Sequence, residues 1–195
     1  MTPFSVDLAK YVKLYGADTM ELEWRLGTTT GAGGPFKPGT SRESFDKIMG
    51  LMQSSTISGT RVDTETVERI SKDRVRYSMP SGTYIKKTPV MNALISPGIR
   101  VSAATELDVS PETFHDAAAF TRRKSRTSYT YKCFRYDLTR VTSNHPDDLD
   151  SEDQTYEIEV ELVDKSYVFK YELAYLLDFG THLITDLQVR SNSAV

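Results

Sequence analysis

The sequence holds a single cysteine, Cys133, and only three histidines, His115, His145 and His182, in 195 residues. One thiol cannot build an internal disulfide framework, which fits a reducing compartment, and Cys133 reads as a packing residue. The histidines stand at no zinc-ligand spacing, and no serine sits in a glycine-flanked nucleophile elbow. The glycine- and proline-rich stretch 28–39 lacks the Gly-Lys-Ser/Thr ending of a phosphate-cradling loop, so it reads as a connection. Long apolar runs are missing: nothing approaches the roughly 20 residues of a membrane-spanning helix, and no basic-then-apolar leader opens the chain. The expectation is an intracellular, soluble protein of nucleus or cytoplasm, or of a viral factory or virion if viral, with no membrane partner. Positive excess is absent too. Lys and Arg number 24 against 27 Asp and Glu, for a net charge of -3. Such a chain has no global field for nucleic acid, and RNA or nucleotide binding would need a local basic site.

What is present is alternation. In YEIEVEL, residues 156–162, Glu157, Glu159 and Glu161 alternate with Ile158, Val160 and Leu162. Successive side chains of a strand point to opposite faces, so three carboxylates share one face and three aliphatics the other. A solvated sheet face would explain one such strand. The pattern recurs, however, in ELEWRLG, where Glu21, Glu23 and Arg25 alternate with Leu22, Trp24 and Leu26. Two strands with apolar outer faces and acidic opposite faces predict a barrel with a polar interior, its outside covered by helices and loops. Facing carboxylates in such an interior need a cation.

The rest of the chain supplies the other walls. Helical spacing predicts an amphipathic helix from Pro3 to Tyr15 and a second, capped at Ser41, with Phe45, Ile48, Met49 and Met52 on one face. Strand-type spelling follows over 57–77, 84–87 and 99–107, with turns at 79–83 and 96–98. The basic, aromatic stretch 121–141 places Arg122, Lys124 and Arg126 on one face. After a turn around Lys132 and Cys133, Arg135, Asp137 and Thr139 share another. An acidic loop is expected over 144–154 and a C-terminal helix over 165–179, with Val168, Tyr171, Leu173, Tyr175 and Leu176 packing. At 38% hydrophobic residues, the chain suits one domain, 1–195, of α+β class and mainly antiparallel β: an eight-stranded closed barrel with flanking helices.

Closing that barrel with the polar faces inward gathers Glu21, Glu23, Glu157, Glu159, Glu161, Glu106 and Asp137 with Arg76, Lys86 or Lys87, Arg100, Arg122, Lys124 and Arg126. A barrel of about eight strands is just wide enough for its side chains or one slim ligand. A linear polyphosphate with its own divalent ion matches the inventory. Its oxygens accept from arginine and lysine, and the ion bridges carboxylate and phosphate.

These residues resemble the metal-dependent RNA 5′-triphosphatases of mRNA capping found in fungi, protozoa and large DNA viruses, a branch of the triphosphate tunnel metalloenzymes. ELEWRLG and YEIEVEL are similar to the family's two glutamate motifs, and RRKSRTSY with FRYDLTRV to its middle block. The weaker segments RYS at Arg76, YIKK at Tyr84 and IRVSAATEL at Ile99 fall in order. The resemblance implies removal of the γ-phosphate from the 5′-triphosphate end of RNA, with magnesium or manganese as cofactor and nucleoside triphosphate hydrolysis when manganese is supplied. It implies that Glu21, Glu23 and Glu161 hold the metal, and that Glu159 and Glu106 orient the nucleophilic water or its ligands. Glu157 would brace the basic wall. Arg76, Lys124 and Arg126 would grip the γ-phosphate, helped by Arg100, Arg122 and one of Lys86 and Lys87, with Asp137 and Thr139 tying down the basic side chains. A separate guanylyltransferase is the implied partner. The family's long N-terminal extension is missing here, so no stable complex with it is expected.

Two other classes keep the tunnel: a tripolyphosphatase or thiamine-triphosphatase-like enzyme, and a non-catalytic polyphosphate-binding module. In all three the sequence shows no aromatic-and-basic face of the kind that stacks single-stranded bases. Recognition of the triphosphate end, with weak dependence on RNA length, is the expectation.

Overall fold

The computed structural model describes residues 3–30, 34–54, 59–114, 120–145 and 148–192. Alternating strands close on themselves. The strands are β1 (Met20–Thr29), β2 (Phe36–Pro38), β3 (Arg61–Ile70), β4 (Val75–Met79), β5 (Thr83–Ser96), β6 (Ile99–Asp108), β7 (Phe120–Tyr131), β8 (Phe134–His145) and β9 (Asp148–Leu162). Their order is β2-β1-β6-β5-β4-β3-β7-β8-β9, with β1 also paired to β9, so eight antiparallel strands form a closed barrel and β2 lies outside the ring. The closure pairs Glu23 with Glu161 and Arg25 with Glu159. Beyond Arg25, β1 turns from β9 to pair with β2, and Thr40 bridges Tyr156.

The barrel's main core is on its outside. Leu22, Trp24 and Leu26 of β1, Phe134 and Leu138 of β8, and Ile158, Val160 and Leu162 of β9 are buried against α1 (Pro3–Tyr15), α2 (Arg42–Ser54) and α4 (Leu173–Asn192). Outward apolar and inward charged residues are therefore one consequence of the alternation read from the sequence. Helix α2 begins where expected, its Ser44 backbone N–H donating to Ser41 Oγ at 3.1 Å, and Cys133 is buried.

Several expected elements differ: the stretch 57–77 holds two strands, β3 and β4, the strand expected over 84–87 is the longer β5, and the connection expected over 28–39 contains the end of β1 and all of β2. Where an acidic loop was expected, β8 runs to His145 and β9 starts at Asp148, because backbone pairing extends both strands whatever the side-chain charge; 146–147 lie outside the described residues. The C-terminal helix is two helices, α3 (Tyr167–Lys170) and α4, and α4 continues to Asn192. Gly180 lies where a helix stop was expected. It is instead the point of closest approach to the barrel, where a Cβ would meet the Trp24 ring at 2.5 Å. Trp24 also donates its indole N–H to Thr181 Oγ1 at 3.1 Å. Of the expected packing residues, Tyr171 and Tyr175 are exposed, and Leu177, Leu183, Ile184 and Leu187 take the core positions.

This contact gives a stability prediction. Gly180→Val forces a branched side chain onto a buried indole, and overpacking of this kind costs about 1–3 kcal/mol. The expected result is a melting temperature lower by roughly 2–10 °C, measured by thermal unfolding. Unchanged melting would mean that α4 does not press on β1 at this position.

Candidate active site

The inward residues line a cavity of ≈ 370 Å³. Strands β1 and β9 contribute Glu21, Arg25, Glu157, Glu159 and Glu161, while β7 contributes Arg122, Lys124 and Arg126. Arg76 comes from β4, four strands from β9 in either direction around the ring. Carboxylates therefore face a basic wall, as the sequence predicts.

The acidic wall is held by cations of its own. Lys87 forms ion pairs with Glu21 and Glu23. Arg25 bridges Glu23 at 2.9 Å and Glu159 at 2.8 Å, and Arg135 pairs with Glu161 at 2.7 Å and Asp137 at 2.9 Å. Asp137 is fully buried and anchors the basic side: Arg126 donates to it at 2.9 Å, Ser128 at 2.6 Å, and Arg126 Nε to the buried Thr139 hydroxyl at 2.9 Å. On the opposite wall Arg76 pairs with Glu106 at 3.0 Å.

Of the two lysines, Lys87 enters the tunnel, where it is opposite Glu106 in the β5–β6 register. Lys86 is exposed on the outer face beside Leu107, so it drops out of the phosphate-binding set. Arg100 shares the strand face of Glu106 on β6 and feels the charges of Arg25, Glu23 and Glu159. It is opposite Arg25 in register, is not among the cavity-lining residues, and has its guanidinium 4.7 Å over the Phe36 ring. His182 is exposed on α4; His115 and the side chain of His145 lie outside the described residues.

Three charged tunnel residues have no role in the sequence reading. Arg25 and Arg135 share faces with recognised residues and were passed over. Glu68, on β3, has nearly no exposure and accepts from Arg122 at 2.8 Å and from Lys124 at 3.1 Å, with Arg76 at 3.8 Å. Its signal was parity: Glu68 is in step with Thr64 and Thr66, which also line the cavity.

Burial and these partners set the charge states. Burial pushes up the carboxyl of Glu161, assisted by Glu21, Asp137 and Glu159 and opposed by Arg135, to about 7. Glu23 and Glu157 are raised as well, chiefly by burial. Glu159 goes the other way: against burial, Arg25, Arg126 and Lys124 hold it at about 2. Burial, with Arg122 beside it, lowers Lys124.

Both halves of a polyphosphate–cation pair find donors here. The buried Nε atoms of Arg25, Arg76, Arg100 and Arg122 have no hydrogen-bond acceptor among the described residues, an unmet donor capacity of the kind that an anion satisfies. Glu21, Glu23 and Glu161 offer an all-oxygen set of the type hard divalent ions take. Among the described residues no three such groups converge closely enough to hold an ion as they stand. The Lys87 ammonium occupies the place between Glu21 and Glu23 where positive charge is needed.

A closed antiparallel barrel with a charged lumen and an apolar exterior is the triphosphate tunnel fold. The model of the mRNA capping enzyme beta chain family matches residues 40–174, and the chain belongs to that family. It is 28% identical over 199 residues, covering 94% of this chain and 96% of the relative, to the 5′RNA triphosphatase A449R of Paramecium bursaria Chlorella virus 1. Its fold is similar to that of the Pct1 RNA triphosphatase of S. pombe, with a TM-score of 0.75 at 17% identity over 98% of this chain and 92% of that one. The Mimivirus capping enzyme triphosphatase is also similar, with a TM-score of 0.65 at 14% identity over 96% and 98%.

Proposed function

We propose that the protein is a polynucleotide 5′-triphosphatase that hydrolyses the γ-phosphate of triphosphate-ended RNA, giving a 5′-diphosphate end and inorganic phosphate. The observation that carries this is the tunnel itself: an acidic wall and a basic wall facing one another across a lumen wide enough for a phosphate chain.

Family membership supports the substrate, since the similar viral protein is named a 5′RNA triphosphatase. Water attacks the γ-phosphorus, the bond to the bridging oxygen breaks, and the diphosphate end leaves; the protein's part is positioning and charge neutralisation. Arg76, Lys124 and Arg126 grip the γ-phosphoryl oxygens, with Arg122 and Lys87 assisting. Glu68 positions Lys124 and Arg122, while Asp137 and Thr139 fix the plane of the Arg126 guanidinium. Glu159, kept ionised by its arginines, and Glu106 orient the attacking water, whose proton leaves with the inorganic phosphate. Glu157 braces the basic wall. Glu21, Glu23 and Glu161 would hold a divalent cation, magnesium or manganese. When bound, it neutralises charge developing on the phosphoryl oxygens. Because every grip is on phosphate, nucleoside triphosphates are substrates as well when manganese is supplied. The diphosphate product is what a separate guanylyltransferase would take.

Phosphate release from triphosphate-ended RNA, tripolyphosphate and ATP, with magnesium or manganese, tests the reading. Phosphate and diphosphate-ended RNA are expected. Cleavage of tripolyphosphate alone would overturn the RNA assignment, and no cleavage of any of the three would leave a binding module.

The charge states add a pH prediction. Glu161 has a folded value near 7 against an ordinary 4.5, so its contribution to stability is present below about 4.5 and is lost as pH rises through 7. The metal-free protein should melt lower at pH 8 than at pH 5, by on the order of 5 °C. Added manganese should oppose that fall, and Glu161→Gln should reduce it, the remainder coming from Glu23 and Glu157. A flat profile in the unsubstituted protein with chelator present would contradict the assignment.

A further inference from the structure

Lys87 is placed for two tasks that exclude each other. It lines the tunnel together with Arg76, Lys124 and Arg126, yet its ammonium is paired with Glu21 and Glu23 on the acidic wall. Its backbone is not on that wall. Lys87 belongs to β5, opposite Glu106 of β6, and β6 separates it from β1, where Glu21 is opposite Ala104 and Glu23 opposite Ser102. Neighbouring strands are about 4.8 Å apart, so the lysine and the two glutamates meet over β6. The residues of β6 beneath that meeting, Ser102 and Ala104, share the face of Glu106 and are small, which leaves the path open. On its other side β5 pairs with β4, where Arg76 is opposite Ile85, one inward position from Lys87. The base of the lysine side chain therefore lies between the two walls.

A compact charge on a flexible four-carbon stem can swing to either wall. Arg25 differs: its planar guanidinium is held at Glu23 and Glu159 and cannot turn without losing both. The metal set and Lys87 also compete for the same oxygens. A divalent ion at Glu21 and Glu23 brings two positive charges to the place that the ammonium holds, and like charges repel strongly in so confined a space. The expelled ammonium then needs another anion, and a phosphate beside Arg76 supplies one. Phosphate alone draws Lys87 the same way, and leaves Glu21 with no ion-pair partner among the described residues. Each ligand thus removes an obstacle to the other.

Resting on the triphosphatase reading, we propose that Lys87 is a built-in counter-ion that exchanges between the Glu21–Glu23 pair and the triphosphate, so that divalent ion and triphosphate each promote binding of the other. Without ligands the acidic wall is capped by the protein's own lysine. Coupling of this kind runs typically from about 5-fold to 150-fold and is reciprocal. It makes the loaded tunnel, with both ligands present, the favoured state over either half-loaded one.

The test measures manganese binding by titration calorimetry, with and without β,γ-imido ATP, for the unsubstituted and Lys87→Met proteins. The analogue's own affinity for manganese is common to both and cancels in the comparison. Without the analogue, Lys87→Met should bind manganese roughly tenfold more tightly, the gain expected when about one unsubstituted molecule in ten has its lysine withdrawn. With the analogue that advantage should vanish, so the coupling falls by about the same factor. A lysine that repels the ion from a fixed position would instead leave the coupling unchanged, and that result would overturn the exchange. Acylation of Lys87 by acetic anhydride, followed by mass spectrometry, reports the position of the amine in the unsubstituted protein. Manganese alone should speed it, and manganese with the analogue should slow it again. A rate indifferent to manganese would also overturn the proposal. Neither readout needs hydrolysis. Intact coupling in a protein that releases no phosphate from triphosphate-ended RNA would sink the triphosphatase reading and leave the exchange standing.

Discussion

A Glu161→Ala protein is expected to fold and to lose phosphate release by roughly a hundredfold to a thousandfold, the scale of removing one transition-state electrostatic contact. Its fold should survive for a reason visible in the tunnel. Among the described residues Glu161 has only Arg135 as an ion-pair partner, and Arg135 keeps Asp137 when Glu161 is gone. A carboxyl raised to about 7 by burial is an uncomfortable charge, so deleting it should leave the metal-free protein no less stable at pH 8. Glu21→Ala and Glu23→Ala should match it in activity, with one difference: each frees Lys87 from only one of its two carboxylates. Near-normal turnover by a well-folded Glu161→Ala protein would remove this residue from the metal site.

Arg126 should be nearly as sensitive, and the nature of the substitution should matter more than its charge. Its guanidinium is held in three directions, by Thr139 through Nε, by Asp137 through Nη1 and by Glu159 through Nη2. That arrangement fixes the plane in which the remaining N–H groups are presented to phosphate. A lysine at 126 keeps the charge but has one compact ammonium, which cannot satisfy Asp137 and Thr139 and still present a planar fork. Activity of Arg126→Lys is therefore expected to fall at least tenfold, on the order of 1–2 kcal/mol. Arg126→Ala should fall further and also lose stability, because among the described residues the fully buried Asp137 then keeps only Arg135 as a counter-charge. Steady-state kinetics with thermal melts of both variants separate the two effects. Full rescue by lysine would mean that no two-pronged contact is made.

The glutamate strands were legible because their two faces meet opposite environments. Apolar Leu22, Trp24, Ile158 and Val160 pack under helices, while their charged neighbours line the lumen. Strand β3 was harder to read because its outer face is open to solvent over its first half. Arg61, Asp63 and Glu65 are exposed there, so charged residues occur on both faces and Glu68 does not stand out. Lys86 and Lys87 could not be told apart from spelling, since the choice depends on the β5–β6 register, which shifts between Pro89 and Met91. Arg25 and Arg135 were visible by parity, but their roles depend on which carboxylates the closure at Glu23 and Glu161 brings across. The end of α4 was missed because glycine in a helix reads as a stop, while the same residue can mark close packing against an indole.

The central claim, that acidic and basic walls cooperate on one phosphate chain through a divalent ion, is tested most directly by a crystal structure of the protein with manganese and tripolyphosphate. The account predicts anomalous density against Glu21, Glu23 and Glu161, and a terminal phosphate within hydrogen-bond distance of Arg76, Lys124 and Arg126. Manganese bound elsewhere, or the anion lodged outside the barrel, would contradict it.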